Sequence, residues 1–592
     1  MKSPAEIELA NTLWGTLFAE ELARLGCRLV CVAPGSRSTP LVAGVARNPK
    51  LEAVVIGDER GAAYFALGHA RASGRPAVLL TTSGTAAANA YPALLEAEAE
   101  QLPLFVVSAD RPPEARTSGD NQCIDQVGLF GSHVRAFAEL PCPDDGATAE
   151  LLLSTLDTLF HAALGANPGP VHLNMMFRKP LGPAPSERQP AVPPALTGWS
   201  ERLTPLCETL TARRRFDGDA LAPLVRRLRG VERGLLVVGG LRGESERAAA
   251  GRLAAFLGWP AIVDVTGGSA DVKLSNSVGH ADLLLHSEDF AAWAAQADGV
   301  VRVGGRVVSA RVEGLLGRVR GEGVQVSDRS RRVDPTRSAR LHVEASLEDF
   351  VASLSDVGEG TATEAGASWL EGWRRASAAA SRGVARVLDS ERGPERRLSG
   401  VLGLRMLLAC RAGEPWVVSN SMPVRLCDWL AGDGVGETFA NRGVSGIEGL
   451  MATACGVAHA RRAPLTLVIG DQAFLHDLSS LQLLARSGQA VRVVLINNGG
   501  GAIFGQLPIA AHADLFDKYF TSPQTWEFGP LAAGFGLDYR GVDDVGGLAD
   551  VLAGPRGERP SILEVRTRRA TEAEDEGALV RAVVGELAKA EW

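Results

Sequence analysis

The sequence predicts an α/β protein built of three doubly wound parallel-sheet domains. Three observations carry this reading. Short apolar runs bounded by Gly, Pro or Asp recur along the 592 residues, and such runs read as strands buried on both faces. Segments with helical patterning lie between them, so strand and helix alternate. Two stretches rich in proline or in small polar residues divide the chain, and its length suits about three or four domains at roughly 100–200 residues each.

The first block spans residues 1–190. A helical pattern over Ala5–Leu25 precedes the apolar run RLVCVAP. The segment AVVIGDERGAAYFALGHARA then reads as strand, turn and helix, and PAVLLTTSGTAAANAYPALLEAEAE repeats the plan. LPLFVVSADRPP adds a strand that ends at prolines. The run KPLGPAPSERQPAVPP (Lys179–Pro194) is expected to be an extended linker. The second block, 195–360, holds the strand-like runs GLLVVGG, PAIVDV and GVVRVGG. VGEGTATEAGA (Val357–Ala367) reads as a second linker. The third block, 368–592, contains PWVVSNS, PLTLVIGD, VRVVLINN and SILEVRT as strands. GLLVVGGLRGE lacks the GxGxxG spacing of a dinucleotide loop.

Composition excludes several classes. With 46% hydrophobic and 22% charged residues, each block can bury a core, which excludes a disordered chain. The net charge of −8 and the lack of a Lys/Arg-rich run argue against a nucleic-acid surface. No apolar run approaches the roughly 18 residues of a membrane helix. The N-terminus MKSPAEIELANTLW is acidic and amphipathic, unlike a signal peptide. The eight cysteines are sparse, and Cys27 and Cys31 do not form a CxxC pair. Reduced thiols in a cytoplasmic protein are the expectation.

Two constellations carry chemistry. LTLVIGDQAFLHDL places Gly470 and Asp471 just after one strand, and VRVVLINNGGGAIF places Asn497 and Asn498 just after the next. In a doubly wound sheet, ligands bind at the carboxyl ends of strands, so residues 471 and 498 can meet at one edge. A carboxylate, an amide oxygen and a backbone carbonyl are hard oxygen donors that suit Mg²⁺ together with a diphosphate. Gly499–Gly501 let the backbone approach closely. A GD dipeptide alone is a turn signal; the paired spacing and the two strand contexts give it weight. The second constellation is Glu59 in VVIGDERGAAYF, an acid at a strand–helix junction. Alone it would only favour the helix N-terminus electrostatically. Apolar neighbours such as Val54, Val55 and Phe65 would raise its pKa by desolvation.

GD followed about 26 residues later by NN resembles the motif of the thiamine-diphosphate enzymes. The resemblance implies Mg²⁺ (or Mn²⁺) held by Asp471, Asn498 and the carbonyl of Gly500, with Gly470, Gln472, Thr85 and Asn89 also at the cofactor; Gln472 stands where relatives often have glycine. It implies that Glu59 is the acid that activates the aminopyrimidine. The segments APGSRSTPL (33–41), DERGAAYFALGHAR (58–71), TTSGTAAANAYPAL (81–94), SADRPPE…DNQ (108–122), SNSMPVR (419–425) and NRGVSGIEG (441–449) resemble one branch, the MenD family of 2-succinyl-5-enolpyruvyl-6-hydroxy-3-cyclohexene-1-carboxylate synthases. The likeness covers all three blocks, which become a pyrimidine-binding, a central and a diphosphate-binding domain. It implies decarboxylation of 2-oxoglutarate and conjugate addition of the succinyl-semialdehyde unit to isochorismate.

Both substrates are multiply carboxylated, and arginine gives permanently charged, bidentate contacts to carboxylates. The resemblance assigns Ser36, Arg37, Asn121, Gln122, Ser421, Arg425 and Arg442 to substrate, Arg37 and Gln122 as catalytic residues beside Glu59. It places Ile447 against the cofactor, and Ile503, Phe504 and Leu507 on an apolar wall. Relatives often carry a Lys-Arg pair in the middle block. Here GGRVVSARVEG has Ala310 and Arg311, so Arg311 keeps one carboxylate contact and the lysine's role is vacant or filled by Arg306. The resemblance also implies a homodimer or homotetramer in which Glu59 and Asp471 act from different chains. At the level of GD…NN alone, another thiamine-diphosphate 2-oxo acid carboligase or decarboxylase, or a non-catalytic binding protein of the same fold, remains open.

Overall fold

The computed structural model describes residues 2–592 apart from 117, 144–147, 186–189, 211–214, 269–273, 329–331, 358–359, 390–392, 412 and 433–435. Its strands form three six-stranded sheets, paired in parallel throughout. The first contains β1 (Leu29–Val32), β2 (Glu52–Val55), β3 (Ala77–Thr81), β4 (Leu104–Asp110), β5 (Phe137–Leu140) and β6 (Val171–Met176). The second contains β7 (Gly234–Val238), β8 (Ala261–Val263), β9 (Ser277–Val278), β10 (Gly299–Val303), β11 (Glu322–Val326) and β12 (Leu341–Val343). The third contains β13 (Trp416–Val418), β14 (Thr438–Phe439), β15 (Leu465–Gly470), β16 (Val491–Asn497), β17 (Asp538–Val542) and β18 (Ser561–Arg566). The α/β fold class expected from the sequence is the one observed.

The strand order repeats. The first sheet runs β2-β1-β3-β4-β6-β5 and the third β14-β13-β15-β16-β18-β17, the same permutation. The middle sheet runs β12-β11-β10-β7-β8-β9, the order of dinucleotide-binding sheets. Its order reverses between β7 and β10, where such sheets open a crevice. Here the two loops touch instead: a Cβ on Gly239 would stand 2.0 Å from the Gly305 carbonyl oxygen. In the outer sheets the reversal falls between β1 and β3, and between β13 and β15. The segments that follow those four strands hold Ser36, Arg37, Thr85, Ser421 and Asp471, while Asn498 and Gly500 follow the neighbouring β16.

The cores join the blocks. The helix Glu59–Ser73 lies against the helix Leu450–Arg461, and Phe65 and Leu67 share one apolar cluster with Leu450, Met451 and Val457. A Cβ on Gly68 would stand 2.2 Å from Thr453 O, and one on Gly456 2.1 Å from Phe65 O, so the two helices cross backbone to backbone. A second cluster joins the middle and third sheets through Phe290, Trp369 and Trp373.

Both expected linkers differ from the reading above. The helix Glu364–Asp389 begins inside Val357–Ala367, because Trp369 and Trp373 give its first turns an apolar face to bury. Along Lys179–Pro194, residues 186–189 lie outside the described set, but Leu181 and Ala184 are buried and the segment before residue 186 is tied down. Asn11 Nδ2 donates to the carbonyls of Arg178 and Pro180, and the Ala184 amide donates to Thr12 Oγ1. All eight cysteines are free thiols, five of them buried. Among the described residues no helix is long and apolar enough to cross a membrane.

Candidate active site

The third sheet builds a donor set at its switch point. β15 ends at Gly470, and Asp471 opens the short helix Asp471–His476, 2% exposed. Its Oδ1 accepts from the Gln472 amide at 2.7 Å. Its Oδ2 accepts from the Gly500 amide at 2.7 Å and from Gln524 Nε2 at 2.9 Å. Burial pushes the carboxyl above its usual range, against the pull of these donors. Asn498 follows β16, and its buried Oδ1 has no hydrogen-bond partner among the described residues. Gly500 takes φ 145°, and a Cβ there would stand 2.3 Å from Thr521 O. Among the described residues no group of three His, Cys, Asp or Glu side chains is placed to hold a metal. A cation here would therefore draw on one carboxylate plus amide and carbonyl oxygens. A buried acid beside an orphaned amide oxygen fits a hard divalent ion.

A cavity of about 150 Å³ opens over these groups. Ser421, Ile447, Gly470, Asp471, Gln472, Asn498, Gly500, Ile503 and Phe504 line it. Ser421 holds φ 71°, a strained value for a residue with a Cβ, at the entry to the helix Met422–Leu430. Asn420 fixes the facing loop, donating to the carbonyls of Asn441 (2.8 Å) and Gly446 (2.6 Å). Arg442 Nη1 donates to Asn420 Oδ1 at 2.7 Å. Arg425 Nη1 donates to Ser421 O at 2.6 Å; burial and Arg442 hold its pKa below the usual arginine value.

The first sheet gathers a second group at its own switch point. Arg37, 5% exposed, donates from Nη1 to Phe177 O at 2.6 Å, while its buried Nε has no partner among the described residues. Burial, and then Arg111, lowers its pKa. Gln122 Nε2 donates to Ser83 O, and the Asn121 carbonyl accepts from Arg111 Nη2. Ser36 is exposed beside them. Asp58 caps the helix of Glu59, and Glu59 Oε2 accepts from Asn89 Nδ2 at 3.2 Å, just past the short helix that Thr85 opens. None of these first-sheet residues lines the cavity over Asp471.

Comparison with known proteins follows this division. Residues 14–129 match the family described as "Thiamine pyrophosphate enzyme, N-terminal TPP binding domain", 195–393 "Middle domain of thiamine pyrophosphate", and 434–565 "Thiamine pyrophosphate enzyme, C-terminal TPP binding domain". A 2-succinyl-5-enolpyruvyl-6-hydroxy-3-cyclohexene-1-carboxylate synthase of Rubrobacter xylanophilus is 41% identical over 95% of this chain and 96% of its own. One of Salinibacter ruber is 41% identical over 94% of each chain, and one of Chlorobium phaeobacteroides 37% over 89% and 90%. The chain belongs to the 2-succinyl-5-enolpyruvyl-6-hydroxy-3-cyclohexene-1-carboxylate synthase family, and it is a thiamine-diphosphate enzyme.

Within this synthase, three of the arginines and Leu507 lie away from the cavity over Asp471. Arg425 stands one turn into its helix and Arg442 behind Asn420; Arg442 shares a smaller cavity of about 50 Å³ with Arg306. Arg311 pairs with Asp282 at 3.3 Å and is half exposed. Leu507 is 49% exposed, on the outer side of the loop that turns Ile503 and Phe504 inward. Three residues escaped the sequence reading. Arg111 ties Ser83 Oγ (2.5 Å) to the Asn121 carbonyl; its place in SADRPPE at the end of β4 was the available signal. Glu572 and Glu576 reach the cavity from the C-terminal helix Arg569–Leu587. Burial pushes Glu572 up to about 7 and raises Glu576. Neither stands at a strand end, so no positional rule marks them.

Proposed function

We propose that the chain decarboxylates 2-oxoglutarate and adds the resulting succinyl-semialdehyde unit to isochorismate, the reaction that forms the product for which its relatives are named, in menaquinone biosynthesis. The observation that carries the metal and cofactor assignment is the buried Asp471 carboxylate beside the partnerless Asn498 Oδ1 and the strained Gly500. Asp471, Asn498 and the Gly500 carbonyl would hold Mg²⁺ or Mn²⁺ against the diphosphate, with Gly470 and Gln472 flanking it. Bound thiamine diphosphate supplies an electron sink for decarboxylation, chemistry no side chain offers.

The protein's own share is positioning and proton placement. Glu59 would present its carboxyl to the aminopyrimidine of the cofactor, and Asn89 orients that carboxyl. Thr85 borders the same end. Ile447 props the cofactor, and Ile503 and Phe504 exclude water from the reacting carbon. Ser36, Arg37, Asn121 and Gln122 on one side, and Ser421, Arg425 and Arg442 on the other, bind the substrate carboxylates, with Arg311 and Leu507 at the rim. The first block (1–190) and the third (368–592) contribute the two halves, with 195–360 between them. The complete site is taken to form between protomers of a dimer or a dimer of dimers, a reading that the position of Glu59 outside the cavity lining over Asp471 supports. Free thiols throughout suit a cytoplasmic enzyme.

The test is incubation with thiamine diphosphate, Mg²⁺, 2-oxoglutarate and isochorismate, with the product identified by mass. Carbon dioxide release from pyruvate in preference to 2-oxoglutarate would overturn the substrate assignment.

A further inference from the structure

The loop that carries Arg442 and Ile447 is held from two sides. Asn420 grips its inner side through the carbonyls of Asn441 and Gly446. The outer side rests on a residue of the first block. Glu96, in the helix Tyr91–Glu100, is 1% exposed. Its Oε1 accepts from the Gly443 amide at 2.9 Å and its Oε2 from the Val444 amide at 2.8 Å. Arg71 Nη2 donates to Oε1 at 3.0 Å and offsets part of the cost of burying the carboxylate, although burial still raises its pKa. The contact is tight: a Cβ on Gly443 would stand 2.8 Å from Ala99 Cβ and 2.9 Å from Glu96 O. Two adjacent backbone amides on one carboxylate fix both position and orientation of the peptide plane, which a single bond would not.

We propose that Glu96 is a positioning residue for the substrate-binding side of the active site: by clamping Gly443 and Val444 it sets the guanidinium of Arg442 against Asn420, which lines the cavity over Asp471, so that Arg442 reaches a substrate carboxylate from behind Asn420. The inference rests on the substrate role proposed for Arg442. It gives the first block two separate duties. Glu59, at the start of the helix Glu59–Ser73, serves the site through its carboxyl; Arg71, near the end of the same helix, serves the loop of its own chain through Glu96.

The test is a double-mutant cycle on kcat/KM, read separately for isochorismate and for 2-oxoglutarate, using Glu96→Gln, Arg442→Ala and their combination. Glutamine keeps the shape but can accept only one of the two amides. Glu96→Gln is expected to lower kcat/KM about tenfold, chiefly through KM, and to have less than about twofold effect when Arg442 is already alanine. Gly443→Ala, which presses the loop off the helix and leaves the Arg71–Glu96 pair intact, is expected to give the same pattern, so the idea stays testable if Glu96→Gln folds poorly. Equal losses in both backgrounds, or unaltered kinetics for both single variants, would overturn it. If Arg442→Ala itself behaves as wild type, the substrate role of Arg442 falls and the inference falls with it. If Arg442→Ala is impaired while Glu96→Gln and Gly443→Ala are not, only the inference falls.

Discussion

Asp471 Oδ2 accepts a hydrogen bond from the Gly500 amide at 2.7 Å, closing a link across 29 residues between the end of β15 and the loop after β16. The link holds both strand ends at one distance before any ligand arrives, so the cation proposed here would meet a preformed donor set.

Asp471→Ala is therefore expected to lower thiamine-diphosphate affinity in the presence of Mg²⁺ by about 100-fold or more, since losing even an outer-shell partner of a metal ligand costs roughly 10–100-fold. Titration calorimetry against the intact protein measures it, and circular dichroism checks the fold. Removing divalent ions with a chelator is expected to abolish turnover, and added Mg²⁺ to restore it. Cofactor binding unchanged without metal would remove this assignment.

Glu59→Gln is expected to retain cofactor binding and lose roughly 100–10,000-fold in kcat, the usual contribution of a positioned acid or base. Glu59 is partly exposed and, among the described residues, accepts from Asn89 alone, so melting temperature should move little. A kcat within threefold of wild type would exclude Glu59 as the activating acid.

What could be read in the sequence, and what could not, divides along burial chemistry. Runs such as LFVVSAD and LTLVIGD announce β4 and β15 because apolar side chains fill both faces. β6, VHLNMM, is as deeply buried yet escapes that rule, because His172 and Asn174 are polar. Partners distant in sequence satisfy them: Ser108 Oγ bonds His172 Nε2 at 2.7 Å, and Asn174 Nδ2 donates to Asp110 at 2.9 Å. β14, only Thr438–Phe439, is too short to leave any pattern. At the site, Asp471 and Asn498 were legible because strand ends fix them. Glu96 was not, because its role depends on a loop more than 340 residues away.

Gly456→Ala tests the helix crossing that carries Glu59. The added methyl would meet Phe65 O at 2.1 Å and His69 N at 2.9 Å, both backbone atoms that cannot rotate away. Overpacking of this kind costs about 1–3 kcal/mol, more than the helix propensity gained. Denaturant unfolding should show that loss. Because the displaced helix presents Glu59, kcat should fall as well. An alanine variant as stable as wild type would mean that the crossing yields without strain.

The same crossing carries a pH dependence. His69 and His459 face each other across it, Nδ1 to Nδ1 at 3.2 Å, and His459 Nε2 lies 2.9 Å from Glu52 Oε1. Glu52 is the carboxylate facing the pair, and Phe65 packs on the His459 ring. If His459 gives its Nε2 proton to Glu52, its Nδ1 accepts from His69, so the pair is satisfied with His69 neutral. Burial, and then His459, lowers the His69 pKa to about 4. Between about pH 6.5 and 4 the unfolded chain binds a proton at residue 69 that the folded chain does not, so stability rises with pH across this window and is lost as pH falls through it. His172, buried and lowered to about 3, acts in the same direction. Melting temperature should therefore drop from pH 7 to pH 5, and His69→Gln should remove about 2–4 °C of that drop while leaving the share of His172. Parallel melting curves for wild type and variant over this range would show that His69 takes its proton as readily folded as unfolded.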